Sequence, residues 1–128
     1  MARKKLPDRR GHITQRVRIG GKRTLYLSVD DEQSPNEIFL RIRGDAGSEK
    51  VVCYDVIARI ISLAIQEGIP LAAIAERLLA TRMQPAGPVE GDQYVKFCDG
   101  TLDYVGRHLL INYCGRQDLS HIKKEVPT

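Results

Sequence analysis

Apolar positions along this chain change period once, at Gly44. Before it they recur every second residue, and after it every third or fourth. Val17 and Ile19 alternate with Arg16 and Arg18, which predicts a strand over 13–19 whose two arginines share the solvent face. Gly20-Gly21 supplies turn residues tolerant of positive φ, and Leu25, Leu27 and Val29 resume the alternation over 24–30. A polar loop from Asp31 to Asn36 leads to a third strand, where Ile38, Leu40 and Ile42 alternate with Phe39, Arg41 and Arg43. The three strands read as an antiparallel meander with one apolar face.

The helical part opens at Ser48, a candidate N-cap, with Glu49 placed against the helix dipole. A helix is predicted over 49–67, apolar on nearly every side except a seam of Asp55, Arg59, Ser62 and Gln66 at i, i+4, i+7 and i+11. Such a helix is expected at the centre of the fold, covered by the rest of the chain or by a partner. The seam's charges make it a poor membrane span. Gly68 ends it and Pro70 opens a second helix over 70–82, with Leu71, Ile74, Ala75, Leu78 and Leu79 on one stripe. Pro85, Gly87, Pro88 and Gly91 mark 83–93 as a loop. A third helix is predicted over 100–114, with Asp99 as its cap, Leu102, Val105 and Leu109 inward, and Gly115 as terminator. The fold class is therefore α+β, a three-stranded antiparallel β-meander packed on three α-helices. Its parts are an amino-terminal arm at 1–12, one domain at 13–121 and a tail at 122–128.

Charge sharpens this picture. The 128 residues carry 20 basic and 16 acidic side chains, a net +4. Residues 1–23 hold nine of the basic ones (Arg3, Lys4, Lys5, Arg9, Arg10, Arg16, Arg18, Lys22 and Arg23) against Asp8, or +8, leaving −4 for the remainder. A basic segment on a mildly acidic body suits a polyanion through counter-ion release, although such arms also serve as solubilising extensions. These nine residues are the candidate nucleic-acid-binding set. The amino terminus has no apolar stretch of the signal-peptide kind and the three cysteines form no pairable framework, so a reducing, cytoplasmic location is expected.

Candidate chemistry is sparse. His12, His108 and His121 are far apart and no Cys-x-x-Cys pair occurs, which argues against structural zinc. Cys98 and Cys114 bracket the third helix and are expected about 20 Å or more apart, too far to bridge. Both read as small buried hydrophobes. Asp99 and Asp103 lie one turn apart, but helix-start electrostatics account for them. Gly20-Gly21-Lys22 lacks the remaining residues of a Walker loop, and Asp45 and Glu49 oppose an anion at the turn before the first helix. No nucleophile–base pair stands out, so no catalytic residue, metal or cofactor is assigned.

Several short runs carry a family resemblance: Leu6-Pro7-Asp8-Arg9-Arg10, Val17-x-Ile19-Gly20-Gly21, Gln66-x-Gly68-Ile69-Pro70-Leu71, Thr81-Arg82-x-x-Pro85-Ala86-Gly87-Pro88-Val89-x-Gly91-Asp92, Lys96-Phe97, Leu102-Asp103-Tyr104-Val105 and Gly115-Arg116-x-Asp118-Leu119. In this order, over residues 6 to 121, they resemble the carboxy-terminal TSCPD domain of cobalamin-dependent (class II) ribonucleotide reductases. In that family the radical chemistry and the cobalamin contact belong to a large barrel that 128 residues cannot contain. The resemblance therefore implies an accessory part, with a family-motif surface of Arg82, Pro85, Gly87, Pro88, Asp92, Lys96, Asp103 and Tyr104. Two departures are visible: Cys98-Asp99 stands where the family often has Thr-Ser, and Gly106 where a bulky residue is common.

Two classes of function follow. One is a non-catalytic accessory or regulatory domain that docks on a protein partner, such as a reductase chain. The other is a small basic DNA- or RNA-binding protein, of phage or mobile-element kind, that uses its arm and first hairpin. The nearly all-apolar first helix adds an expectation of homo-oligomers.

Overall fold

The structure, a computed structural model, describes residues 5–30, 32–44 and 47–122. The three expected strands are present as β1 (His12–Ile19), β2 (Arg23–Asp30) and β3 (Ile38–Gly44). Gly20 and Gly21 turn β1 into β2 with φ of 59° and 66°, and the Lys22 amide donates to the Ile19 carbonyl at 3.1 Å. Glycine is required at 20 for a second reason, because a Cβ there would lie 2.7 Å from the Ala86 carbonyl oxygen.

The sheet is larger than a meander. Two further strands, β4 (Gly87–Glu90) and β5 (Phe97–Cys98), extend it to five strands in the order β3-β2-β1-β4-β5. Arg18 pairs with Glu90 and Ile19 with Val89, so the stretch expected to be only a loop returns to the first strand. With four and two residues, punctuated by Gly87, Pro88 and Gly91, these strands are too short to show a period-two pattern.

Three helices follow the expected order with shorter ends: α1 (Ser48–Gln66), α2 (Leu71–Leu78) and α3 (Thr101–Tyr113). Ser48 and Asp99 are not caps, since Gly47 and Gly100 take those positions without side-chain cap bonds. The larger correction concerns which helix is central. In α3 Thr101, Asp103, Tyr104, Val105, Gly106, His108, Leu109, Leu110 and Ile111 are all buried, whereas α1 buries only Tyr54, Ala58, Ile61, Ser62 and Gln66. α1 packs on β3 and α2 packs on α3. A Cβ at Gly106 would lie 2.7 Å from the Ala75 carbonyl oxygen, so this glycine permits the close approach of α2.

Val17, Ile19, Leu25, Leu27, Val29, Ile38, Leu40 and Ile42 share one sheet face and form a single core with Tyr54, Ala58, Ile61, Tyr104, Val105 and Leu109. Full burial of one such aliphatic side chain stabilises by roughly 1.5–3 kcal/mol, so this face dominates the fold's apolar term. Among the described residues no helix or strand covers the opposite face.

Candidate functional site

The residues of the family motifs were expected at the surface, and several of them are core. Asp92 is 4% exposed, and Asp103 and Tyr104 are fully buried. Asp92 sits just after β4, where its carboxylate accepts the Tyr94 and Val95 amides at 2.8 and 2.9 Å. The same carboxylate accepts the Tyr104 hydroxyl at 2.5 Å and lies 3.1 Å from His108 Nδ1. Burial alone would raise its pKa, but the bonds from His108, Tyr104 and the two amides win and hold it well below the usual carboxylate range. Tyr104, buried beside that charge, is pushed far above the ordinary phenol range. Lys96 Nζ donates to the Asp92 carbonyl at 2.7 Å and completes the corner.

Asp103 performs the matching task at the start of α3. Its two oxygens accept the Ala80 and Asp99 amides at 2.8 and 2.9 Å, and Arg107 pairs with it at 3.2 Å. One buried carboxylate thereby ties the end of α2, β5 and α3 together. Pro85 is buried, Gly87 and Pro88 pair with Cys98 and Phe97, and Arg82 is exposed. Asp92, Asp103 and Tyr104 of the motif are thus a buried polar framework, while Arg82, Pro88 and Lys96 are exposed. Cys98 is buried within this framework, and burial with the charges of Asp103 and Asp99 pushes its thiol up to about 11, so it is protonated at neutral pH. Among the described residues no group of three or more His, Cys, Asp or Glu could hold a metal ion, and no helix is long and apolar enough to cross a membrane.

The candidate basic set separates into several environments. Arg3 and Lys4 lie outside the described residues, and Lys5, Arg9, Arg16, Arg18 and Lys22 are exposed. Arg18 donates to the Gly21 carbonyl at 2.7 Å. Arg10 is engaged by Glu37 through both carboxylate oxygens, and His12 joins the same carboxylate at 2.8 Å. Arg23 departs from the rest of the candidate basic set. It is 1% exposed and donates to Tyr54 Oη at 3.2 Å and Thr101 Oγ1 at 3.1 Å. Strand parity accounts for this, because Arg23 faces the same way as Leu25, Leu27 and Val29. Buried there, it cannot reach a phosphate.

The polar seam of α1 divides in the same manner. Ser62 Oγ accepts the Ile38 amide at 2.9 Å, and Gln66 donates to the Asn36 carbonyl at 3.1 Å, which fastens α1 along β3. Asp55 and Arg59 form an exposed ion pair at 3.3 Å. They border an uncovered apolar stripe in which Val52, Ile60 and Leu63 are 58%, 61% and 43% exposed.

A sequence profile of the TSCPD domain matches residues 2–112. The chain belongs to the TSCPD family. It is 35% identical over 122 residues to a vitamin B12-dependent ribonucleotide reductase of Bradyrhizobium diazoefficiens, covering 94% of this chain and 10% of that one. A protein of the same name from Agrobacterium fabrum is 35% identical over 122 residues, with 94% and 9% covered. Its namesake from Rhodopirellula baltica is 28% identical over 119 residues, with 92% and 11% covered. This TSCPD domain therefore spans about a tenth of the curated relatives it matches. No solved structure gives a significant match.

Proposed function

We propose that this chain is a non-catalytic accessory or regulatory domain of ribonucleotide reduction that acts in the cytoplasm by docking on a cobalamin-dependent reductase chain. The observation that carries this reading is the stripe of Val52, Ile60 and Leu63 on α1, apolar and uncovered in a domain whose other large side chains are mostly packed. In the relatives this unit is embedded in a chain about ten times longer, whose remainder is the natural cover for such a stripe. The absence of turnover is supported by the framework itself, where Asp92 and Tyr104 are buried and bonded to each other and Cys98 is buried. Calorimetric titration of this protein into a reductase chain lacking its own TSCPD domain should give a saturable complex. Ile60→Asp with Leu63→Asp should abolish it and leave the melting temperature nearly unchanged. No complex, or one indifferent to those substitutions, refutes the reading; a dimer of this chain broken by the same substitutions would assign the stripe to a second copy.

Nucleic-acid binding is the second reading, favoured by the placement of Arg16 and Arg18 side by side on the open sheet face.

A further inference from the structure

Strand register assembles a surface from three separate stretches of chain. On the uncovered face of the sheet Arg18, Thr24 and Arg43 form one cross-strand row. Arg16, Tyr26 and Arg41 form the next, and Thr14, Ser28 and Phe39 the third. The arginines occupy the corners of a rectangle, about 7 Å along each strand and about 10 Å from β1 to β3, with Tyr26 and Thr24 between them. Arg43 places its guanidinium 5.7 Å from the Tyr26 ring centroid. Phe39 is 45% exposed, and beside it a groove of about 630 Å³ runs between the sheet and α1, lined by Tyr26, Ser28, Phe39, Arg41, Val51, Val52 and Asp55. Acidic groups leave three of the four arginine corners uncancelled. Glu90, directly opposite Arg18, offsets only that corner, Asp55 is paired with Arg59, and Glu37 sits at the far end, engaged by Arg10.

We propose that this face is a platform for single-stranded nucleic acid, an inference that rests on the nucleic-acid reading and moves its site from the arm to the sheet. Phosphates at the arginine corners would leave the exposed Phe39 ring for stacking with an unpaired base, which a duplex keeps hidden, with Tyr26 beneath Arg43 as its neighbour. Base stacking on aromatics tolerates any sequence, and nothing on this face offers an edge-specific reading pattern.

Fluorescence anisotropy with the full chain tests it, using mixed-sequence ten-nucleotide DNA and RNA strands, the matching DNA duplex and ATP as a mononucleotide, across a salt series. The single strands should bind at least about tenfold tighter than the duplex, and ATP far more weakly than either strand. Arg16→Ala with Arg41→Ala should lower the log–log salt slope by roughly 1.4, at about 0.7 per phosphate on a single strand. Phe39→Ala should weaken binding about tenfold at unchanged slope. All three side chains are exposed, so the variants keep the wild-type melt. Single-strand binding lost in a Lys5→Ala, Arg9→Ala variant but kept in the sheet variants would overturn the platform and leave the arm as the site. Equal affinity for the duplex, or ATP binding as tightly as the strands, would also overturn it. No shift with any nucleic acid at low salt would remove the nucleic-acid reading itself.

Discussion

α1 and α3 exchange the roles that their compositions assign. α1 is the longer and more apolar, yet it leaves Val52, Ile60 and Leu63 in solvent. α3 carries Thr101, Asp103, His108 and Arg107 and is nevertheless the buried one. Burial here follows satisfaction of polar groups. Each buried polar side chain of α3 meets a partner supplied by the 80–96 segment or by β2, and among the described residues no buried side-chain nitrogen or oxygen lacks one. α1 contributes Tyr54, Ser62 and Gln66 to such bonds, all on its inner side, and its apolar outer stripe is free for something else.

The contrast can be broken most strongly at Asp103. Asp103→Ala would remove a buried carboxylate, strand the part-buried Ala80 and Asp99 amides and uncouple Arg107, and a loss of about 3–5 kcal/mol is expected in urea unfolding. Asp92→Asn should cost about 2–3 kcal/mol for the same kind of reason. Its effect depends on pH. Because the folded carboxyl is held below its ordinary value, its contribution is fully present above the unfolded pKa of about 3.9 and is lost as pH falls through that value toward the folded one. Wild-type melting temperature should therefore drop between pH 5 and roughly pH 3, and Asp92→Asn should drop less.

Gly106 sharpens the comparison within α3. Gly106→Val must push away the Ala75 carbonyl and Leu78, with an expected cost of about 1–3 kcal/mol in the same assay. The smallest effect belongs to α1, where Ile60→Ser with Leu63→Ser should change stability by no more than about 0.5 kcal/mol per site. A large loss there would mean that the stripe is core after all.

How much of this was legible depended on whether each signal was local. The alternation of Val17, Ile19, Leu25, Leu27, Val29, Ile38, Leu40 and Ile42 fixed three strands and their inward face, and Gly20-Gly21 fixed the first turn. The same alternation placed Arg41 and Arg43 outward and already placed Arg23 inward; reading charge in blocks rather than by parity hid the burial of Arg23 and left Arg41 and Arg43 out of the basic set. β4 and β5 were not visible because they exist only through pairing with β1 and with each other. The burial of Asp92 and Asp103 was not visible either, since two partners of each are backbone amides that carry no residue-type signal. α1 was misplaced because an apolar surface records that a cover is needed but not whether this chain provides it.

Native-state hydrogen exchange measures the two helices in one experiment. If α3 is the centre, its amides from Val105 to Ile111 should exchange only through global unfolding, with protection close to the full unfolding free energy. Amides on the outer stripe of α1, at Val52, Ile60 and Leu63, should exchange through smaller openings at clearly lower free energy. Equal protection of the two helices, or stronger protection of α1, would contradict the assignment of α3 as the core and of α1 as the face left open for a partner.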